Sequence, residues 1–98
     1  MDFKVIFKER FLDDLQRIVS RIAIHNPIAT RKLGEIIIQR GESLSFFPER
    51  FPKIRQRPGI RRFIVKKNFK VFYRVELNSQ TVEILRCWDG RQGSDLTV

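Results

Sequence analysis

The spacing of apolar residues changes along this chain, and each spacing predicts one kind of element. Phe3, Val5 and Phe7 alternate with Asp2, Lys4 and Lys8, which predicts a short first strand. Over residues 11–23 apolar residues recur at intervals of three and four, which predicts an amphipathic helix. Asn26-Pro27 then suits the cap and the first residue of a second helix, whose apolar side extends over residues 29–44. The first half of the chain is therefore predicted to form a strand followed by a helical hairpin.

The second half of the chain returns to an alternating pattern. Residues 60–65, 69–77 and 82–88 are predicted strands separated by turns, and residues 53–57 also alternate. The less regular pattern of the last strand is typical of a central strand that is covered on both faces. We therefore predict an α+β fold with an N-terminal strand, in which the αα-hairpin packs on one face of a mainly antiparallel twisted sheet of four to five strands.

Two segments outside these elements carry their own expectations. The connection at residues 46–52 holds Phe46, Phe47 and Phe51, which we expect to lie beneath the sheet. The tail from Asp89 onward has two Gly and few apolar residues, so we expect it to be loosely held.

Length and composition limit the classes of protein that this chain can belong to. Its 98 residues predict one domain, residues 1–98, with a single core. Cys87 is the only cysteine, which excludes a disulfide within the chain and a cysteine-based zinc site, and His25 is the only histidine. We expect neither a metal nor a cofactor. No apolar run approaches the roughly 18 residues of a membrane helix, and the first residues do not resemble a signal peptide, so we expect a cytoplasmic protein without a membrane partner.

Charge is the feature that separates this chain from an ordinary small domain. The formal net charge is +9, and ten of the twenty Lys and Arg residues fall in residues 50–74, which contain no Asp or Glu. Such a cluster is either a solvated face that keeps the domain soluble or a surface for a polyanion or an acidic protein segment. We favour the binding surface, because the cations alternate with apolar residues along predicted strands.

Lys70 and Arg74 lie on one face of a predicted strand with Phe72 between them. Phe72 is either a stacking platform for a base or a second-layer core residue, and the sequence leaves both alternatives open. The full set of candidate contacts to a nucleic acid or target is Arg61, Arg62, Lys66, Lys67, Lys70, Phe72, Arg74 and Arg86.

Several short motifs, in this order, resemble one known family. They are the strand–helix–helix–sheet order and Asn26-Pro27 with Ala29 beyond it, followed by Gly59-Ile60-Arg61-Arg62-Phe63, Val71-Phe72-Tyr73-Arg74-Val75, and Ile84-Leu85-Arg86 leading to Asp89-Gly90-Arg91. The chain resembles the RelE/ParE superfamily of toxins from type II toxin–antitoxin systems over almost its full length.

The resemblance implies one of two activities. RelE-like toxins are ribosome-dependent mRNA endoribonucleases that need no metal, and by resemblance Lys70 and Arg91 would be the catalytic residues here. ParE-like toxins inhibit DNA gyrase without cutting anything themselves. Asp89 stands where a His is common in the family and no Tyr follows Arg91, so the group that would take the 2′-hydroxyl proton is missing unless Asp89, Glu76 or a lysine replaces it. We therefore prefer gyrase inhibition to ribonuclease activity.

The resemblance also implies partners. The first is a cognate antitoxin, which should be acidic and amphipathic and should cover the helical hairpin and the basic sheet. The second is either DNA gyrase or the ribosome with its mRNA, and a homodimer is a further option. The alternative from another class is a non-toxic nucleic-acid-binding module that uses the same basic residues for phosphate contacts.

Overall fold

The elements follow one another in the predicted order over residues 2–91, which are the residues that this computed structural model describes. The strands and helices are β1 (Lys4–Phe7), α1 (Glu9–Ala23), α2 (Pro27–Glu42), β2 (Ile60–Val65), β3 (Phe69–Glu76) and β4 (Thr81–Asp89), with short 3-10 turns at Ser43–Ser45 and Pro48–Arg50. The predicted α+β fold is confirmed. Residues 92–98, most of the tail expected to be loosely held, lie outside the described residues.

The sheet has four strands in the order β1-β4-β3-β2. β2 pairs with β3 and β3 with β4 in antiparallel fashion, whereas β1 lies parallel to β4, with Lys4 opposite Thr81. The expectation of a mainly antiparallel sheet holds, with one parallel pair added. Within residues 2–91 the alternating stretch at 53–57 contributes only an isolated bridge between Lys53 and Arg61, so it is not a fifth strand.

A bulge explains the irregular pattern of β4, which is a central strand as predicted. Ile84 lies opposite Tyr73 and Cys87 lies opposite Val71, so the register shifts by one residue between these pairs. Ile84 and Cys87 are three residues apart, yet both belong to the buried core. A bulge inserts one extra residue and so breaks the period of two, which is the pattern that the sequence presents here.

The core lies between the helical hairpin and one face of the sheet, and local sequence sets the hairpin in place. Asn26 caps α2, because its side-chain oxygen accepts a hydrogen bond from the backbone N–H of Ala29 at 3.1 Å, and Pro27 follows as the first helical residue. At the far end of α2, Gly41 allows a close approach to β1. A Cβ on Gly41 would lie 2.8 Å from Cε1 of Phe7.

The connection between α2 and β2 only partly follows the expectation from sequence. Phe51 is partly buried against the core, with its ring centroid 5.4 Å from that of Phe63. Phe46 and Phe47 are instead 54% and 68% exposed. Phe47 adopts a left-handed backbone conformation with φ 49°. No helix within residues 2–91 is long and apolar enough to cross a membrane.

Candidate functional site

The sheet surface opposite the helices, here called the far face, brings several of the candidate cations together. Residues of β3 alternate between the two faces, so that Phe69, Val71 and Tyr73 enter the core while Lys70 and Arg74 point away from it. On the neighbouring strand Arg62 lies opposite Phe72. The far face therefore carries Arg62, Lys70 and Arg74 around Phe72, which is the shared face that the sequence predicts.

Phe72 is buried, although it lies on the far face. Its side chain is 2% exposed, and it does not belong to the core cluster between helices and sheet. The ring has no open face on which a nucleotide base would stack. The structure thus supports the second alternative from sequence, a core residue in a second layer.

Arg61 has a structural role instead of the expected binding role. It belongs to the same strand as Arg62 but to the opposite face, and its side chain is 14% exposed. Its guanidinium donates hydrogen bonds to the backbone carbonyls of Glu49 at 3.0 Å and Phe51 at 2.6 Å. Tyr73 donates to the carbonyl of Pro48 at 2.7 Å. These two side chains fasten the connection before β2 and leave Arg61 few donors for a partner.

Arg86 is likewise occupied within the fold. It is 9% exposed and donates two hydrogen bonds to the buried carboxylate of Asp14 on α1, at 2.7 and 3.0 Å. These hydrogen bonds raise the pKa of Arg86 further above its already high value. Asp14 also accepts from the backbone N–H of Cys87 at 3.1 Å and from Arg17. The pair joins α1 to the bulged part of β4, so the guanidinium of Arg86 is already occupied within the fold.

Arg74 shows that carboxylates from elsewhere in the chain balance part of the positive charge of residues 50–74. Its side chain is 44% exposed and forms ion pairs with Glu83 of β4 and, at 3.0 Å, with Glu76. The hydrogen bonds from Arg74 hold the pKa of Glu83 below its usual value, despite the opposing effect of burial. The interpretation of an unbalanced cluster is therefore wrong for Arg74, because the sheet brings carboxylates from outside residues 50–74 to its side.

Asp89 is buried at the end of β4 and is surrounded by donors. Its carboxylate, 3% exposed, accepts hydrogen bonds from the backbone N–H, Nε and Nη2 of Arg91 at 3.0, 3.0 and 2.9 Å, and from Arg21 of α1 at 3.1 Å. Burial alone would raise the pKa of Asp89, but the hydrogen bonds and charges of Arg91 and Arg21 outweigh it, and the net shift is downward. A carboxylate held in its ionised form in this way is a weak proton acceptor.

Lys70 and Arg91, the two residues that the RelE resemblance would make catalytic, leave the sheet on different faces. Phe69 and Asp89 are opposite one another and face the helices, whereas Lys70 lies opposite Trp88 on the far face. The methylene stem of Lys70 runs past Gly90, close to Arg91 in sequence. The guanidinium of Arg91 nevertheless turns to the helix side, where it lies 5.2 Å from the ring centroid of Phe69.

Lys66 and Lys67 lie at the tip of the β2–β3 hairpin. Both are exposed, and both have left-handed backbone conformations with φ 50° and 69°. Such conformations are uncommon for residues with a long side chain and are found mainly in tight turns. The prediction of a turn at this place is confirmed, and the two ammonium groups are accessible to a partner.

A groove beside the far face contains basic residues that the sequence reasoning missed. This basic groove has a volume of about 380 Å³ and is lined by Lys8, Glu9, Arg10, Arg57, Ile60, Arg74, Leu85 and Arg86. One signal for it was present in the sequence. Lys8 and Arg10 are at the start of α1, where the helix dipole disfavours cations and favours acids, so their charges do not stabilise the helix.

Neither a metal site nor a reactive thiol is found in the described part of the chain. No three His, Cys, Asp or Glu side chains of residues 2–91 come together in a way that could hold a metal ion. Burial raises the pKa of Cys87 to about 12, and the charges of Asp14 and Asp89 act in the same direction. The thiol is therefore protonated at neutral pH and is not a nucleophile.

Comparison with known proteins assigns the family. A family model described as the ParE toxin of the type II toxin–antitoxin system, parDE, matches residues 5–93. The chain belongs to the ParE toxin family. This ParE-family chain is accordingly a toxin of the type II toxin–antitoxin class, within the RelE/ParE superfamily that its motifs resemble. Among curated proteins, none matches it significantly in sequence.

Solved structures of related toxins share the fold of this ParE-family chain. A chain of the chromosomal ParDE system from P. aeruginosa superposes with a TM-score of 0.76 at 18% identity, covering 89% of this chain and 95% of that one. A chain of the RelBE2 toxin–antitoxin complex from Mycobacterium tuberculosis gives 0.65 at 22% identity, covering 91% and 92%. The isolated E. coli RelE toxin gives 0.56 at 14% identity, covering 93% and 87%.

Proposed function

We propose that this ParE-family toxin stops growth by inhibiting DNA gyrase in the cytoplasm, and that a cognate acidic antitoxin neutralises it. The family supplies the toxin class. The choice of gyrase over mRNA is our own and rests on the chemistry of the candidate site. The antitoxin follows from the class and from the structural neighbours, several of which are toxin–antitoxin complexes.

The observation that carries the proposal is the state of Asp89. A ribonuclease that cuts through the 2′-hydroxyl needs a group that removes its proton. Asp89 stands where the family often has a His, but it already accepts four hydrogen bonds from two arginines and the backbone, and its pKa is lowered. It is therefore poorly suited to act as a general base.

The other candidate bases are no better placed. Glu76 and Glu83 are both bound to Arg74, and the pKa of Glu83 is lowered by that contact. His25 lies in the exposed turn between α1 and α2, and the buried Tyr73 has a raised pKa because of desolvation. These environments favour a toxin that acts by contact.

The placement of Lys70 and the Arg91 guanidinium on different faces supports the same proposal. Stabilising one phosphorane-like transition state requires donors that converge on the same oxygens. Here one side chain is on the far face and the other is bound to Asp89 on the helix side. Arg62, Lys66, Lys67 and Lys70 are then proposed as contacts to the target, whereas Arg61, Phe72 and Arg86 support the sheet from within.

Two assays on the same induced culture test the mechanism. Primer extension on cellular mRNA reports cleavage, and a supercoiling and DNA-cleavage assay with purified gyrase reports inhibition of the enzyme. We expect stabilised gyrase–DNA breaks together with intact mRNA. Sedimentation of the purified toxin alone separates a monomer from the homodimer.

Variants sharpen this comparison. Codon-spaced mRNA cuts that vanish in Lys70→Ala and Arg91→Ala, but persist in the exposed α2 control Lys32→Ala, would replace gyrase inhibition by RelE-like endoribonuclease activity. The cations of the far face are the feature that favours this second candidate. Normal growth at high soluble expression, with salt-dependent binding to DNA, would instead identify a non-toxic nucleic-acid-binding module.

A further inference from the structure

The basic groove contains more cations than its neighbouring carboxylates bind, and the remaining cations indicate what the groove binds. Five of its lining residues are cations, but three of these already contact carboxylates. Lys8 and Arg74 share Glu83, at 3.6 Å for the lysine, and Arg86 is bound to Asp14. Within residues 2–91, neither Arg10 nor Arg57 forms an ion pair or a hydrogen bond through its guanidinium. The groove therefore offers two unsatisfied guanidinium groups.

Neither guanidinium group forms a polar contact that would stabilise the fold within residues 2–91. Arg10 is exposed in the first turn of α1, where the partial positive charge of the helix repels a cation. Arg57 is exposed just before the turn at Gly59, outside any strand. The two residues nevertheless line one groove with Arg74. Each keeps its charge close to other cations, which is an unfavourable arrangement unless an anion joins them.

The number of free cations and the walls of the groove favour carboxylates over a nucleic-acid backbone. A guanidinium binds a carboxylate through two parallel hydrogen bonds, so two free arginines match two acidic side chains. Ile60 and Leu85 add apolar surface, and Glu9 is an acidic residue of the lining. Apolar walls suit a polypeptide that alternates acidic and apolar residues, whereas they offer nothing to a continuous row of phosphates.

We propose that the basic groove binds an acidic, amphipathic segment of the antitoxin, with Arg10 and Arg57 each holding one carboxylate and Ile60 and Leu85 contacting an apolar side chain between them. This site rests on the proposed function, because it assumes that an antitoxin exists. The groove meets the far face at Arg74, but Arg10 and Arg57 belong to α1 and to the segment before β2 and are not among the proposed target contacts.

The experiment uses a defined probe in place of the antitoxin. A fluorescent helical peptide of Glu and Leu, and its matched peptide with Gln for every Glu, are titrated against the toxin by anisotropy at low salt. The test variant is Arg10→Glu with Arg57→Glu. The control is Arg31→Glu with Lys32→Glu, which makes the same change in net charge on exposed residues of α2. Thermal unfolding verifies that both variants fold.

We expect the Glu peptide to bind at least tenfold more tightly than the Gln peptide. The groove variant should lose at least tenfold in affinity for the Glu peptide, and the control should change less than threefold. Equal affinity for the two peptides, or equal losses in both variants, would overturn the proposal. A groove variant that loses duplex DNA binding but keeps the Glu peptide would assign the groove to nucleic acid instead.

A growth assay separates this site from the proposed function. The groove variant, expressed without any antitoxin, should remain toxic, because the proposed target contacts lie elsewhere. Loss of toxicity in a folded groove variant would show that the groove serves the target and would overturn its assignment to the antitoxin. Whether gyrase is the target is decided independently by the cleavage assays.

Discussion

Replacing Asp14 by Asn should destabilise the fold strongly, because it leaves a buried charge without its partner. Asp14 is 3% exposed and Arg86 has a side chain that is 10% exposed, so the guanidinium has little access to water once the carboxylate is lost. Breaking a buried pair by removing one partner costs about 3–5 kcal/mol. Asn retains an oxygen for the Cys87 N–H, which places the expected loss near the lower limit, about 3 kcal/mol.

The assay is thermal and urea-induced unfolding of the purified toxin. For a domain of this size, about 3 kcal/mol corresponds to a decrease in Tm of roughly 12–24 °C. Asp13→Asn is the matched control, since Asp13 is exposed at the preceding position of α1, and it should change the free energy of unfolding by less than about 0.5 kcal/mol.

A second variant separates the buried charge from mere packing. Asp14→Leu combined with Arg86→Met removes both charges, and replacement of a buried ion pair by apolar residues is often neutral or stabilising. The double variant should therefore be more stable than Asp14→Asn alone. A Tm for Asp14→Asn within about 2 °C of the unchanged protein would refute the reasoning. It would mean that water solvates the Arg86 guanidinium well enough to replace the lost carboxylate.

Three further predictions concern other parts of the fold. Gly41→Ala should lower the free energy of unfolding by about 1–3 kcal/mol, because its Cβ would lie 2.8 Å from Phe7. Gly34→Ala, whose Cβ would lie 3.7 Å from Val19, should raise the free energy of unfolding by up to about 1 kcal/mol. Urea unfolding measures both changes. Cys87 should not react with a thiol reagent at pH 8 in the folded protein and should react fully in denaturant, because burial raises its pKa to about 12; rapid reaction without denaturant would contradict this. The folded pKa values of Asp89 and Glu83 are lowered, so these two carboxylates stabilise the fold above a pH of about 4. That stabilisation is lost as the pH falls through the lowered pKa values. The urea midpoint should therefore decrease less steeply between pH 7 and pH 2 in Asp89→Asn than in the unchanged protein.

The local sequence pattern was sufficient to predict most of the helices and strands, but not which strands pair with one another. The strand predicted at residues 60–65 has the same bounds in the structure, and Asn26 caps α2 as its position before Pro27 suggests. Alternation identifies a strand, yet it does not specify which strand lies beside it, so the parallel pairing of β1 with β4 was not predictable. The bulge in β4 was visible only as an irregular pattern.

The site was harder to predict than the fold, because charge pairing depends on three-dimensional neighbours. Residues 50–74 contain no acid, but Glu83 lies opposite Arg74 in the sheet. Arg86 and Asp14 are far apart in sequence and are joined only when α1 crosses β4. A basic residue in a charged stretch can therefore have a structural or a binding role, and only its surroundings separate the two.

The parallel pairing of the first and last strands has a consequence for how the toxin folds. β1 has β4 as its partner strand in the described sheet, with Val5 opposite Val82. The first strand therefore cannot pair until nearly all of the chain has been synthesised. Contacts between residues so distant in sequence slow folding, since the loop between them must close first. A chain interrupted before residue 81 leaves β1 unpaired and the core open, so an incomplete translation product should not accumulate as a folded toxin.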